Sequence, residues 1–204
     1  MKKIFWIPLA LLIIMSGVFA YTYTQQNNQQ ANAVVTTSNE NVSITKEEVD
    51  QAQQAWGDGI LNIGKIYREK GDVKQFTETF LRKMYTFNRS NYIFFRPTLA
   101  ANEGFRPNFD SALSYFIGTH NFVNSDDRSS VEGDDGFAIK PWTKITFVND
   151  QEFKYGSLAI VMGHYIFTDD KGDDTKVEYT FVYKKVDGNL KILVQHSSLP
   201  FGNS

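Results

Sequence analysis

The stretch KVEYTFVYKKVDGNLKILVQHSS, residues 176–198, contains the clearest fold signal in the chain. Its β-branched and aromatic residues alternate in part with polar ones on both sides of Asp187-Gly188, a pair that supplies the positive φ of a tight hairpin turn. The segment therefore predicts two antiparallel strands. The second strand ends in the polar residues QHSS, 195–198, which mark either the wet end of the sheet or a functional site.

Similar segments precede this hairpin and extend the predicted sheet. GFAIKPWTKITFVND (136–150) and SLAIVMGHYIFTD (157–169) have the same β-branched and aromatic character, and turn-rich pieces such as DDKGDD separate them from their neighbours. YIFFRPTLA (92–100) is also typical of a strand, and Pro97 restricts it to an edge or a bulge. The second half of the chain thus predicts an antiparallel meander.

The first half has helical periodicity instead. Thr45 and Glu48 form a predicted capping box, and apolar residues then recur at three- and four-residue steps up to about Glu69. The glycines in this segment indicate close packing, or a break near Gly57-Asp58-Gly59. Two further helices are predicted, one after Gly71-Asp72 and one at 108–118. Helices followed by a meander predict an α+β fold, with the helices covering one face of a bent sheet.

The amino terminus has the pattern of an export signal. Lys2 and Lys3 precede an apolar run that ends at Ala20, so we expect residues 1–20 to be a cleaved signal peptide, with an uncleaved anchor as the alternative. Residues 21–43 are polar and lack a face to bury, which predicts a flexible linker. One domain, 44–204, is expected to follow and to be periplasmic or secreted, without membrane contact after cleavage.

Composition excludes several kinds of site. The 204 residues contain no cysteine, which rules out disulfides, thiol nucleophiles and cysteine-ligated metals. The net charge is −2 and no basic run occurs, so we expect no nucleic-acid partner. The acidic turns lack the spacing of an EF-hand.

Histidine and serine suggest two kinds of chemistry. The three histidines, His120, His164 and His196, could form a zinc site, although none of their spacings is typical of one. His196 and Ser197 could form a hydrolase pair, but adjacent strand residues point to opposite faces. Strict alternation along the last strand places His196 and Ser198 on one face, as a continuation of Ile192 and Val194. We therefore expect His196 and Ser198 to line the mouth of a pocket.

Five motifs in order carry a resemblance to a known family over residues 44–202. The chain resembles the iota-class carbonic anhydrases in FFRPTLA (94–100), FRPNFDSALSYFIG (105–118), GFAIKPWTKITF (136–147), KVEYTFVY (176–183) and HSSLP (196–200). The resemblance implies a cone-shaped, nuclear-transport-factor-2-like (SnoaL-like) fold, similar to the association domain of calcium/calmodulin-dependent protein kinase II. It implies reversible hydration of carbon dioxide to bicarbonate, and a homodimer.

The resemblance also implies which residues carry the reaction. Matched motif by motif, the catalytic set is Thr98, Tyr115, His196 and Ser198, which would hold water and the bicarbonate oxygens. No cofactor is expected: the metal-free form of the reaction fits a pocket of hydroxyls and histidine, and a divalent metal is the alternative. A non-catalytic ligand-binding or oligomerisation module is the alternative for the function as a whole.

The chain departs from the family in one position of this set. The family usually has His-His-Ser-Ser, and here Gln195 replaces the first histidine. Alternation puts Gln195 on the face opposite His196 and Ser198. We therefore expect the pocket to be preserved and any role of the first histidine to be lost.

Overall fold

A computed structural model describes residues 43–88, 92–100, 102–121 and 133–202. The predicted signal peptide and nearly all of the predicted linker lie outside these ranges. Within them, no helix combines the length and apolar character needed to cross a bilayer.

Three helices form the first half of the domain: α1 (Lys46–Arg68), α2 (Val73–Met84) and α3 (Phe109–Ile117). The capping box of α1 is present, with the Glu48 N–H donating to the Thr45 hydroxyl and the Thr45 N–H to the Glu48 carboxylate. The helix runs unbroken through Gly57-Asp58-Gly59. A Cβ at Gly59 would lie 2.0 Å from a ring carbon of Phe80, so the glycine allows α2 to pack against α1.

Five strands form one mixed sheet in the order β1-β5-β4-β3-β2. Their bounds are β1 Phe94–Arg96, β2 Trp142–Tyr155, β3 Leu158–Asp169, β4 Asp174–Val186 and β5 Asn189–Ser198. β2 to β5 form the predicted meander, and Asp187 and Gly188 both have positive φ in its last turn. The expectation of an antiparallel sheet was wrong for β1, which pairs in parallel with β5 at the sheet edge.

The helices cover the inner face of the sheet, as predicted. Trp56 of α1 is fully buried and stacks on Tyr165 of β3, with 5.6 Å between the ring centroids. Phe181 of β4 packs edge-on against the same indole at 5.8 Å. This aromatic layer forms the core of an α+β domain.

A β-bulge interrupts the alternation of β5. Tyr183 pairs with Ile192, but the next residue of β4, Val182, pairs with Val194, which leaves Leu193 as an extra residue in β5. Ile192 is buried on the inner face, and after the bulge it is Gln195 and Ser197, not Val194, that face inward. Strict alternation across this strand was therefore the wrong assumption.

The outer face of the sheet carries an apolar row that crosses all five strands. Consecutive cross-strand pairs connect it. Its members are Phe153, Ile160, Val182, Val194 and Phe94. With strands about 4.8 Å apart, the row is about 19 Å long. Phe94 is 70% exposed and Phe153 62%, so much of this apolar surface is uncovered in the single chain.

Candidate active site

A cavity of about 230 Å³ lies on the inner face of the sheet, where β5 ends. Its apolar wall comes from Phe137, Trp142, Phe167 and Val177. Its polar groups come from several strands, a helix and two loops. They are Thr98 after β1, Tyr115 of α3, Lys140 before β2, Tyr165 of β3, Thr175 of β4, and Gln195 and Ser197 of β5. A mostly apolar cavity with a few converging polar groups is the usual form of a small-molecule site.

The structure brings together two of the four residues predicted for this site. Thr98 and Tyr115 line the cavity, whereas His196 and Ser198 lie on the other side of the sheet, in an open groove with His164 and Glu178. His196 is exposed, and the Ser198 hydroxyl donates to the Glu178 carboxylate at 3.3 Å. The predicted meeting of all four side chains was wrong, because the bulge at Leu193 turns Gln195 and Ser197 inward instead.

The Thr98 hydroxyl is buried and has no hydrogen-bond partner among the described residues. A buried polar atom without a partner is rare in folded proteins, since leaving it unpaired costs about 1–3 kcal/mol. Thr98 lines the cavity, so a molecule bound there can supply the missing partner. Thr98 is therefore a candidate ligand contact; the buried hydroxyls of Thr86 and Tyr183 also lack a partner among the described residues, but neither lines this cavity.

Tyr115 is almost fully buried, and burial raises the pKa of its phenol well above the usual value, so the group stays protonated. Tyr115 lines the cavity, so its protonated phenol can donate a hydrogen bond to a molecule bound there. Phe95 and Phe137 pack against the ring at 5.5 and 5.6 Å and fix its direction.

A buried ion pair anchors α3, the helix that carries Tyr115. Arg106 and Asp134 are both buried, and their closest atoms, Nη2 and Oδ1, are 2.6 Å apart. The hydroxyl of Ser114, next to Tyr115, donates to the same carboxylate at 2.8 Å. These bonds connect α3 to the loop that contains Asp134. That loop leads into the short 3₁₀ helix Phe137–Ile139, and Phe137 forms part of the cavity wall.

Gln195, Tyr165 and Ser197 lie together in the cavity. The Tyr165 hydroxyl shares a short hydrogen bond with the Ser197 hydroxyl, and the Gln195 carbonyl oxygen accepts from the Tyr85 hydroxyl at 2.5 Å. Burial raises the pKa of Tyr165 to about 12, so this phenol is also protonated near neutral pH. The cavity therefore presents hydroxyl and amide groups that keep one protonation state across the physiological range.

Lys140 is the single charged residue among the described residues that line the cavity. Within the described ranges no carboxylate forms an ion pair with it. No group of three or more histidine, aspartate or glutamate side chains in those ranges could hold a metal ion. The three-histidine zinc hypothesis thus finds no ligand cluster in the described part of the chain.

Sequence reasoning missed Gln195, Ser197 and Tyr165. Tyr165 could have been found, because it lies on the same face of β3 as Val161 and Phe167, and all three side chains are buried. Gln195 and Ser197 could not be assigned by alternation alone. The bulge that orients them depends on the pairing of β5 with β4, which leaves no signal in the local sequence.

Comparison with known proteins identifies relatives over most of the chain. Residues 47–199 match the family described as metal-independent carbonic anhydrase. A metal-independent carbonic anhydrase of Nostoc sp. strain PCC 7120 is 37% identical over 165 residues, which are 79% of this chain and 76% of the relative. The crystal structure of a cyanobacterial iota-carbonic anhydrase complexed with bicarbonate is 36% identical in sequence. It matches with a TM-score of 0.70 over 79% of this chain and 95% of its own.

Proposed function

Because the chain belongs to the metal-independent carbonic anhydrase family, we propose that it catalyses the reversible hydration of carbon dioxide to bicarbonate in the cavity at the end of β5. The unpartnered Thr98 hydroxyl is the observation that carries this proposal. It lines the same cavity as two further hydroxyls, those of Tyr115 and Ser197, opposite a wall of aromatic and aliphatic side chains. That arrangement suits a small apolar substrate that becomes an oxyanion.

The chemistry follows from the two parts of the cavity. The aromatic wall accommodates carbon dioxide and excludes bulk water. Thr98 holds the attacking water through a hydroxyl that otherwise lacks a partner. As the water oxygen bonds to the carbon, negative charge develops on the carbon dioxide oxygens, where the Tyr115 and Ser197 hydroxyls donate. The water loses one proton, which passes to a base in solvent, and bicarbonate leaves.

The proposed catalytic set differs in part from the one expected from the sequence. Thr98 and Tyr115 keep their proposed roles. Gln195 and Ser197 take the places of His196 and Ser198, since only the former pair lines the cavity. The departure from the family motif at Gln195 therefore falls inside the proposed site, on the inward face of β5.

A stopped-flow assay of carbon dioxide hydration tests the proposal. We expect the purified protein to accelerate hydration above the buffer rate, and to do so after exhaustive chelation if the reaction is metal-free. Tyr115→Phe and Thr98→Val are expected to lower kcat/KM by about tenfold or more each. A folded protein with no rate above buffer would contradict the proposal.

A second candidate function uses the same cavity. Gln195 stands where the family usually has histidine, and an amide cannot act as a general base near neutral pH. The protein would then bind bicarbonate without turnover. Saturable bicarbonate binding in the absence of any hydration rate would favour this candidate.

We propose that the protein is a homodimer in which the apolar row on the outer face packs against its copy. Ile160 and Val182 lie near the middle of this row, and Phe153 and Phe94 at its ends are mostly exposed. A row of this kind can pair with itself about a two-fold axis. Sedimentation equilibrium of the purified protein measures the state directly.

We also propose that the protein is exported. The basic and apolar pattern of residues 1–20 supports this location, and the absence of cysteine is compatible with an oxidising compartment. Cell fractionation and the mass of the mature amino terminus test the proposal, with cleavage expected after Ala20.

A further inference from the structure

Thr98 is the one proposed catalytic hydroxyl that lies on a loop. Tyr115 belongs to α3 and Ser197 to β5, whereas Thr98 comes two positions after Arg96, the last residue of β1. The paired register of β1 with β5 also ends at Arg96, and Pro97 has no N–H with which to continue it. Hydrogen bonds of the sheet therefore do not fix Thr98 relative to Ser197.

The loop that begins at Pro97 returns to β1 several residues later. The Arg106 N–H donates to the Phe95 carbonyl oxygen at 2.9 Å, and the Ile93 N–H donates to the Pro107 carbonyl oxygen at 2.8 Å. These bonds fix the end of the loop, whereas Thr98 lies at its beginning. A side chain on a loop is held less precisely than one on a strand or helix, so the beginning of this loop needs a contact of its own.

The guanidinium group of Arg96 supplies this contact. Its Nη1 donates to the Pro97 carbonyl oxygen at 3.2 Å and to the Ser197 carbonyl oxygen at 3.2 Å. Nη1 carries two N–H groups, one for each carbonyl, and a charged donor makes stronger hydrogen bonds than a neutral one. Pro97 is the neighbour of Thr98, so a single side chain bonds the backbone beside both hydroxyls.

Arg96 itself lies outside the cavity. It is half-buried, it pairs with His196 of the outer face, and it is not one of the residues that line the cavity. Within the described ranges no carboxylate forms an ion pair with it. Its charge is therefore directed at the two backbone carbonyls and not at a bound molecule.

We propose that Arg96 is a positioning residue, which holds the Thr98 hydroxyl at a fixed place relative to the Ser197 hydroxyl by bonding the carbonyls of Pro97 and Ser197. The inference rests on the proposed function, in which both hydroxyls contact the same bound molecule. β5 is also held by β4, where Ser197 pairs with Tyr179. Loss of the arginine is therefore expected to release the segment of Thr98 and to leave Ser197 in place.

Nitrate is the probe for the test, because it is a planar, singly charged oxyanion like bicarbonate and its binding needs no turnover. Its affinity for the intact protein is measured by calorimetry. Arg96→Met keeps much of the aliphatic side chain and removes both hydrogen bonds, so we expect it to bind nitrate about three- to tenfold more weakly than the wild type.

Lys176→Met is the matched control for charge. It removes a positive charge from an exposed position of β4 on the same face of the sheet and should change nitrate affinity by less than twofold. Equal losses from Arg96→Met and Lys176→Met would assign the effect to long-range charge and overturn the proposal.

A double-mutant cycle shows whether the effect passes through Thr98. In a Thr98→Val background, Arg96→Met is expected to change nitrate affinity by less than twofold, because the hydroxyl that Arg96 positions is gone. The same loss in both backgrounds would contradict the proposal. So would a wild-type protein that binds neither nitrate nor bicarbonate.

Arg96→Lys tests rescue by a conservative change. An ammonium group can bond two backbone carbonyls at once, as that of Lys191 does with the oxygens of Arg82 and Lys83, at 2.9 Å each. We therefore expect Arg96→Lys to bind nitrate within about threefold of the wild type, and more tightly than Arg96→Met. A loss in Arg96→Lys as large as that in Arg96→Met would count against the proposed role.

Hydration kinetics give a readout that a purely structural role would not move. Since the aromatic wall of the cavity is unchanged, Arg96→Met should lower kcat and leave KM for carbon dioxide within about twofold of the wild type. Thermal unfolding of each variant identifies a damaged fold. If Arg96→Met does not fold, Arg96→Gln, whose shorter side chain cannot reach both carbonyls, replaces it in every measurement.

These measurements separate the inference from the proposed activity. A protein that shows the expected nitrate affinities without hydrating carbon dioxide would keep the role of Arg96 and lose the proposed reaction. Conversely, an active protein whose Arg96 variants bind nitrate like the wild type would keep the proposed function and lose this inference.

Discussion

The two faces of β5 end very differently over the four residues 195–198. On the inner face, Gln195 and Ser197 are buried within a hydrogen-bonded group of tyrosines. On the outer face, His196 is exposed and Ser198 is only partly buried, beside Glu178. The imidazole, which is the more reactive side chain, thus lies on the wet side of the sheet, and an amide lies in the cavity.

This difference shows that a short motif on a strand places its residues alternately on the two faces of the sheet, so its members do not share one environment. Residue type alone would select His196 as the catalytic group, because imidazole titrates near neutral pH. We propose Ser197 instead, because the inner face has buried hydrogen-bonding groups around the cavity, and such groups can stabilise developing charge. The following variants test this comparison between the two faces.

The largest effect is expected from Ser197, and its neighbour Ser198 is the matched control. Ser197→Ala removes a donor from the cavity and should lower kcat/KM for carbon dioxide hydration by about 100-fold, as the loss of one preorganised donor does in other enzymes. Ser198→Ala, one residue further along β5, should change it by less than twofold. Stopped-flow hydration assays measure both, and a larger loss from Ser198→Ala would reverse the assignment of the faces.

On the outer face, Ile160→Lys should weaken the proposed dimer. A lysine near the middle of the apolar row has to lose its hydration at the interface, so we expect the dimer dissociation constant to rise at least tenfold. Asn62→Lys adds the same charge on the exposed side of α1 and should leave the dimer intact. Sedimentation velocity over a range of concentrations measures both variants. An unchanged dimer in Ile160→Lys would place the interface elsewhere.

The inner face should be sensitive to alkali. Burial raises the pKa of Tyr165 to about 12, whereas an unfolded tyrosine titrates near 10. Between these values the unfolded state has lost a proton that the folded state retains, so stability falls as pH rises, by up to about 1.4 kcal/mol per pH unit for each such tyrosine.

Urea unfolding between pH 9 and pH 11.5 measures this slope. Tyr165→Phe is expected to reduce it, and Tyr155→Phe, at an exposed position of the outer face, is the matched control. An identical slope in wild type and Tyr165→Phe would show that this phenol is not protected in the folded protein.

The smallest effect is expected from the lysine at the cavity. Lys140→Met removes the single charge that lines it among the described residues, and should raise KM for bicarbonate in the dehydration direction by about threefold. Lys144→Met makes the same change on an exposed part of β2 and should have no such effect. Because mobile ions screen charges, the difference between the variants should shrink at high salt.

The sequence predicted most of the fold because its signals there are local. The capping box at Thr45 and Glu48 and the Asp187-Gly188 turn each involve residues within a few positions of one another. The parallel pairing of β1 with β5 was missed, since it joins residues about 100 positions apart and Pro97 indicated only an edge or a bulge.

The site was predicted only in part for the same reason. Thr98 and Tyr115 came from a resemblance in motifs, and both line the cavity. The choice between His196 and Ser197 depended on which residues of β5 point inward. The bulge at Leu193 reverses the alternation after it, and leucine is an ordinary strand residue that gives no sign of a bulge in the sequence. The motifs thus identified a segment that lines the cavity, and the pairing between strands decides which of its side chains face the cavity.

The bulge at Leu193 also gives β5 a tolerance to changes in length. Without Leu193, Ile192 and Val194 would become ordinary neighbours that still pair with Tyr183 and Val182, so Gln195 and Ser197 would still face inward. A deletion at this one position is therefore expected to preserve the cavity. A deletion between residues 194 and 197 would instead exchange the two faces, so in evolution this strand can lose a residue before the motif but not within it.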